Sequence, residues 1–126
     1  MTVLVVDDAA FSRGMICRFL GAAGYATLQA KDGIEALEVL ENCQPGQIEL
    51  IVTDMLMPRM TGSELLKELA RLGVSVPTIV LTADIQATTR EKCTRLGCAA
   101  FMNKPVTAEP LRMAVETALT ERRAAG

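Results

Sequence analysis

Five residues able to do chemistry stand just behind short apolar runs. Asp7 and Asp8 follow "VLVV", Asp54 follows "IELIV", Thr82 follows "TIVL" and Lys104 follows "AAFM". Singly, each has an ordinary explanation. An acid pair before a helix complements the helix dipole, a threonine caps a turn, and a lysine sits in solvent. Together they form a set of three carboxylates, one hydroxyl and one ammonium, all at the ends of candidate strands. In an open parallel sheet such ends meet along one edge, outside the carboxyl termini of the strands, where ligands bind.

That convergence has an electrostatic cost. Two unit charges about 4 Å apart repel by roughly 4 kcal/mol at an effective dielectric of 20. A folded domain holds together by only about 5–15 kcal/mol, so three crowded carboxylates need positive charge beside them. Lys104 supplies one unit. The remaining oxygens suit a hard octahedral cation such as Mg²⁺, which takes a few carboxylates, a carbonyl and several waters. A cation, a lysine and a hydroxyl grouped around Asp54 are the parts of a phosphoryl-transfer site. That reaction depends on positioning and on neutralising the phosphoryl oxygens, and Asp54 is the expected nucleophile.

The elements that must place these residues are readable from spacing. Apolar runs at 3–6, 26–30, 48–52, 78–81 and 99–102 predict five strands, and helical spacing predicts helices near 10–22, 33–43, 62–72, 88–96 and 108–122. Asp32 with Glu35, Thr61 with Glu64, and Thr88 with Glu91 have capping-box spacing, and Thr107 precedes Pro110 in the first turn of the last helix. Gly24, Gly73 and Gly97 fall just past helix ends, where a left-handed residue is favoured. Strands joined by helices must run parallel, and runs without polar alternation suit burial on both faces. The expected fold is a three-layer α/β/α sandwich.

Composition narrows the function classes. The chain has 126 residues, which suits one domain, taken as residues 1–122 with a tail at 123–126 and no separate output domain. The formal charge is -2, and three Phe, one Tyr and no Trp leave few stacking platforms for bases, so direct nucleic-acid binding is not expected. No apolar run approaches the roughly 20 residues of a membrane span, and the apolar start stops at once in acids, so neither membrane insertion nor a signal peptide is expected. Cys17, Cys43, Cys93 and Cys98 lack C-x-x-C spacing and the chain has no histidine. Reduced thiols in a cytoplasmic protein are therefore expected.

At this point the sequence resembles the receiver domains of two-component response regulators, most closely the single-domain CheY-like type. "VLVVDDAAFSRGMI", "AKDGIEAL", "IVTDMLMPRMTG", "TIVLTA" and "FMNKP" match that family in order and spacing over nearly the whole chain. The resemblance implies a five-stranded parallel sheet of order 2-1-3-4-5 and a phosphoryl group accepted on Asp54 from a sensor histidine kinase or a histidine phosphotransfer protein. It implies Mg²⁺ held by Asp8, Asp54 and the Leu56 carbonyl, with Asp7 acting through water. Thr82 and the Ala83 N–H are then expected to meet the phosphoryl oxygens, with Lys104 paired to them and Pro105 preceded by a cis peptide. Phe101 matches the family's aromatic switch position, coupled to Thr82. A downstream effector is expected on the α4–β5–α5 face, here carrying Arg90, Lys92, Arg95 and Arg112.

Two positions depart from the commonest chemotaxis pattern. Leu56 stands where Asn is common, and Asp84 where Glu is frequent. The Leu56 carbonyl remains available, while its apolar side chain bears on access of hydrolytic water. Other readings fit less well. A haloacid-dehalogenase-type phosphatase needs a second acid where Leu56 stands. A flavodoxin-like carrier has no use for two aspartates in its phosphate loop. A decayed receiver, acting as a phosphorylation-independent interaction module, is the remaining alternative.

Overall fold

The computed structural model describes residues 1–83 and 87–125; Asp84 and the side chain of Thr88 lie outside the described residues. The chain alternates strand and helix throughout: β1 (Thr2–Val6), α1 (Ala10–Ala22), β2 (Ala26–Ala30), α2 (Gly33–Asn42), β3 (Ile48–Asp54), α3 (Gly62–Arg71), β4 (Thr78–Thr82), α4 (Ala87–Arg95), β5 (Ala100–Asn103) and α5 (Ala108–Ala125). All neighbouring strands pair in parallel, in the order β2-β1-β3-β4-β5, as the resemblance implied.

Period-two alternation in the strands divides the core between the two faces of the sheet. Val3 and Val5 of β1 pack with Ile16 and Leu20 of α1 and with Leu111 and Val115 of α5. Leu4 and Val6 point the other way, toward Leu65 and Leu69 of α3 and Ala36 of α2. A smaller cluster of Met55, Leu66, Val80 and Cys93 underlies α4, with Phe101 packed against it. The inner strands β1 and β4 are buried almost throughout, whereas only Ala30 of the edge strand β2 is buried.

Two helix starts follow the capping signals. Thr61 and Glu64 form a full capping box on α3. On α2 the Asp32 carboxylate accepts the Glu35 N–H at 2.8 Å, but the Glu35 carboxylate reaches the Lys31 N–H instead of the Asp32 N–H. β1 and β4 each gain one residue over their apolar runs, and β3 and α5 extend further. β3 continues through Thr53 to Asp54, because Asp54 still pairs with Leu81 of β4; ladder hydrogen bonds do not need an apolar side chain. α5 continues to Ala125, since its last residues are good helix formers and nothing breaks the backbone ladder.

Candidate functional site

The register of the sheet sets the level at which each polar residue emerges. Val6 pairs with Thr53 and Asp54 with Leu81, so Asp7 leaves β1 beside Asp54 at the top of β3. Backbone bonds carry the ladder one step beyond the strands. The Asp7 N–H reaches the Ala30 carbonyl at 3.0 Å, the Met55 N–H the Leu81 carbonyl at 2.8 Å, and the Lys104 N–H the Thr82 carbonyl at 2.8 Å. Asp54 and Thr82 are thus the last residues of their strands, and Lys104 follows β5 directly.

At that edge Lys104 bridges two acids. Its Nζ lies 3.0 Å from Asp7 Oδ2 and 3.4 Å from Asp54 Oδ2. Carboxylate oxygens of Asp7, Asp8 and Asp54 all lie within 4.8 Å of one another. The Asp7 side chain is 1% exposed and Asp54 13%, while Asp8 faces solvent. The inner acid is therefore committed to Lys104, whereas the outer one remains open to water. Asp7 is held further by the Ala9 N–H at 3.0 Å on Oδ1, and its carbonyl accepts from Arg13 Nη1 at 2.7 Å.

Charge balance at this edge is unequal. Burial pushes the Asp54 carboxyl above its ordinary value; the Lys104 ammonium counteracts this only in part, and the Asp7 charge adds to it. For Lys104, burial disfavours the ammonium, but its hydrogen bond to Asp7 and the charges of Asp54 and Asp7 outweigh burial and raise its value. Three carboxylates against one ammonium leave an excess equal to the charge of one divalent cation. The donors are all hard oxygens, one of them water-facing, which fits Mg²⁺.

The loop after β3 is clamped from below. A Cβ on Gly62 would stand 2.7 Å from the Asp54 carbonyl oxygen, so only glycine lets α3 start this close to the acceptor strand. Gly33 plays the same part against Met60, whose Cγ and Sδ would lie 2.7 Å from an added Cβ. Arg59, at φ +65°, reaches back to the nearly buried Asp32, its Nη2 at 2.7 Å and Nε at 2.9 Å from Oδ2. Burial opposes ionisation of Asp32, yet the Glu35 N–H and Arg59 outweigh it and hold the carboxyl below its ordinary value. Arg59 was not among the expected site residues, and Asp32 was expected only as a cap. No sequence signal marks such a pair, because an arginine in a left-handed position follows no strong rule.

The other expected residues fall as follows. Thr82 is buried at the end of β4, next to the exposed Ala83. The Lys104–Pro105 peptide is cis, as expected. Leu56 is 66% exposed beside Asp54. Phe101 lies away from the acids, half-buried under α4, with the Arg90 guanidinium 5.8 Å from its ring centre. Of the four cations expected on one output face, Arg112 is paired along its own helix with Glu109 and Glu116. Lys92 and Arg95 line a cavity toward α3, and Arg95 also shares one with Arg90 along α4.

Fold and site together define a parallel α/β domain with an acidic, lysine-bridged edge at the carboxyl ends of its strands. The family description "Response regulator receiver domain" matches residues 3–116, and the chain belongs to that family. It is 34% identical over 112 residues to the sensor histidine kinase RcsC of Escherichia coli K12, covering 89% of this chain and 12% of that protein. It is 35% identical to the response regulator MprA of Mycobacterium sp. strain KMS, over 86% of this chain and 46% of MprA. The match thus spans about an eighth of the length of RcsC and just under half of that of MprA. Among solved structures, a response regulator receiver domain protein from Clostridium thermocellum superposes with a TM-score of 0.90 at 28% identity, covering 99% of this chain and 98% of that one. The chemotaxis protein CheY4 of Vibrio cholerae superposes at 0.86 with 29% identity, over 94% and 98%. Phosphorylation and regulation of a downstream partner are properties of this family. No helix among the described residues is long and apolar enough to cross a membrane.

Proposed function

We propose that Asp54 accepts a phosphoryl group from a phosphohistidine of a sensor histidine kinase or a histidine phosphotransfer protein, and that the modified chain regulates a downstream protein. The carrying observation is the Lys104 ammonium held between Asp7 and Asp54, 3.0 and 3.4 Å from their oxygens, within the three-carboxylate cluster. These 126 residues include no histidine, so the phosphohistidine donor lies outside them.

In the proposed reaction an ionised Asp54 oxygen attacks phosphorus in line, and the P–N bond breaks with its electron pair passing to the ring nitrogen. The imidazole leaves neutral when its other nitrogen carries the proton. Asp54 is suited to this because burial raises the basicity of its carboxylate while Lys104 keeps positive charge next to it. Lys104 is proposed to follow the phosphoryl oxygens, and the Thr82 hydroxyl and Ala83 N–H to donate to the others. Asp7, Asp8, Asp54 and the Leu56 carbonyl would hold Mg²⁺, which supplies neutralisation of the equatorial oxygens. Asp7 acts through water in this reading.

Output follows from a two-state equilibrium. A shift of Thr82 toward the phosphoryl group releases room for Phe101, whose ring packs with Val80 and Met55 under α4, and the favoured state binds its partner better. Turnover is limited to self-catalysed transfer and slow loss of the group, with Leu56 screening one approach for water. The proposed setting is the cytoplasm, where the four free thiols stay reduced.

The test is incubation with Mg²⁺ and acetyl phosphate, followed by intact mass measurement after acid quench. One labile adduct is expected in the wild type and none in Asp54→Asn. An adduct at wild-type level in that variant would remove the assignment of the acceptor. No adduct in the wild type would favour the decayed, phosphorylation-independent receiver.

A further inference from the structure

Several cations of this chain are held in ion pairs. Arg59 is paired with Asp32, Arg71 with Glu68, Lys104 with Asp7, and Arg112 with Glu109 and Glu116. Lys67 of α3 and Lys92 and Arg95 of α4 are different: all three are exposed and none makes an ion pair among the described residues. They are also neighbours. Two open cavities of about 500 and 280 Å³ lie between α3 and α4 and share Lys67 and Lys92 in their walls. The smaller continues to Arg95, and the larger ends at Leu56.

The groove is positively charged against the balance of the whole molecule. Three cations face one carboxylate, Glu64, in a chain whose formal net charge is -2. Glu64 is occupied, since its Oε1 accepts the Thr61 N–H at 2.9 Å in the capping box of α3. Moving it to neutralise a lysine would leave a helix-end donor without its partner. At the other end of the groove Leu56 presents an apolar side chain that is 66% exposed.

We infer that the α3–α4 groove binds an acidic segment of a partner protein, with carboxylates of the segment against Lys67, Lys92 and Arg95 and one apolar side chain against Leu56. The charge pattern selects the occupant. An acidic peptide finds cations that Glu64 opposes without forming an ion pair, whereas at Arg112 it would have to displace two carboxylates. Electrostatic complementarity of this kind sets partner choice and encounter rate more than affinity, so the interaction is weak and salt-sensitive. This surface shares α4 with the face of α4, β5 and α5 but opens toward α3.

The test uses a fluorescein-labelled peptide of alternating Glu and Leu, with wild-type protein and fluorescence anisotropy at low and physiological salt. Binding is expected to weaken about tenfold in Lys67→Gln/Lys92→Gln and to weaken with added salt. Leu56→Ser is expected to weaken it about threefold, and Arg112→Gln is expected to leave it unchanged. All substituted positions are exposed, and a thermal melt of each variant checks the fold. Equal binding by the lysine variant, or an equal loss in Arg112→Gln, overturns the groove. Equal binding of a Glu/Ser peptide overturns the apolar anchor. Concentration-dependent dimerisation that the lysine variant abolishes would make the occupant a second copy of this chain and overturn the partner assigned.

Discussion

On α5, Arg112 meets Glu109 and Glu116 across single helical turns, in pairs that local geometry makes available as soon as the helix forms. At the sheet edge, Lys104 meets Asp7, 97 positions away, and only after five strands have taken their order does the contact exist. The α5 pairs are the closer ones, with Arg112 Nη1 2.6 Å from Glu116 Oε1 against 3.0 Å for Lys104 and Asp7. Distance is nevertheless the wrong guide to consequence. Water screens the α5 carboxylates, while the Asp7 side chain is 1% exposed and has no solvent to fall back on. A buried charge that loses its partner costs far more than an exposed pair contributes.

The comparison breaks most visibly at Lys104. Lys104→Met, assayed by denaturant unfolding without divalent cations, is expected to lose about 2–3 kcal/mol. This lies below the about 3–5 kcal/mol that breaking a fully buried pair costs, because Lys104 keeps some contact with water. A change below about 0.5 kcal/mol would mean that Asp7 does not need the lysine, and the two clusters would then be equivalent.

A smaller effect is expected from removing negative charge at the same edge. The folded-state value of Asp54 is raised, so the folded chain holds its proton longer than the unfolded one. Stability from this group therefore falls as pH rises from the ordinary carboxylate range through the raised value. Lys104 has the same sign in a higher window: its contribution is present through neutral pH and is lost as pH rises through its own raised value. Without divalent cations, the Tm of Asp54→Asn should exceed wild type by a growing margin across the carboxylate window, reaching a few degrees. Parallel curves would show that Asp54 is not under charge stress. The smallest effect belongs to α5, where Arg112→Ala is expected to leave Tm unchanged within error; a clear drop would make the local pairs structurally important.

The same division between local and distant contacts explains what could be read in advance. Strand and helix positions were readable because apolar runs and helical spacing are short-range patterns, and Thr61 with Glu64 folded into the capping box their spacing announced. Asp7, Asp8, Asp54 and Lys104 could be grouped because each follows a run that had to be a buried parallel strand. The pairing of Arg59 with Asp32 could not be read. It depends on a left-handed backbone at Arg59 and on two loops meeting, 27 residues apart. Nor could the fate of the α4 cations: helical spacing places Arg90, Lys92 and Arg95 on one helix, but the packing of α3 decides that two of them line a groove.

By itself, then, the amino-acid order determined which side chains emerge at the carboxyl ends of the strands, because alternation and helix punctuation act within a few residues. Only the assembled sheet decided their protonation preferences, which acid Lys104 holds most closely, and where uncompensated positive charge remains. Those properties arise from burial and from distances between segments far apart in the chain, and neither exists until the layers have packed.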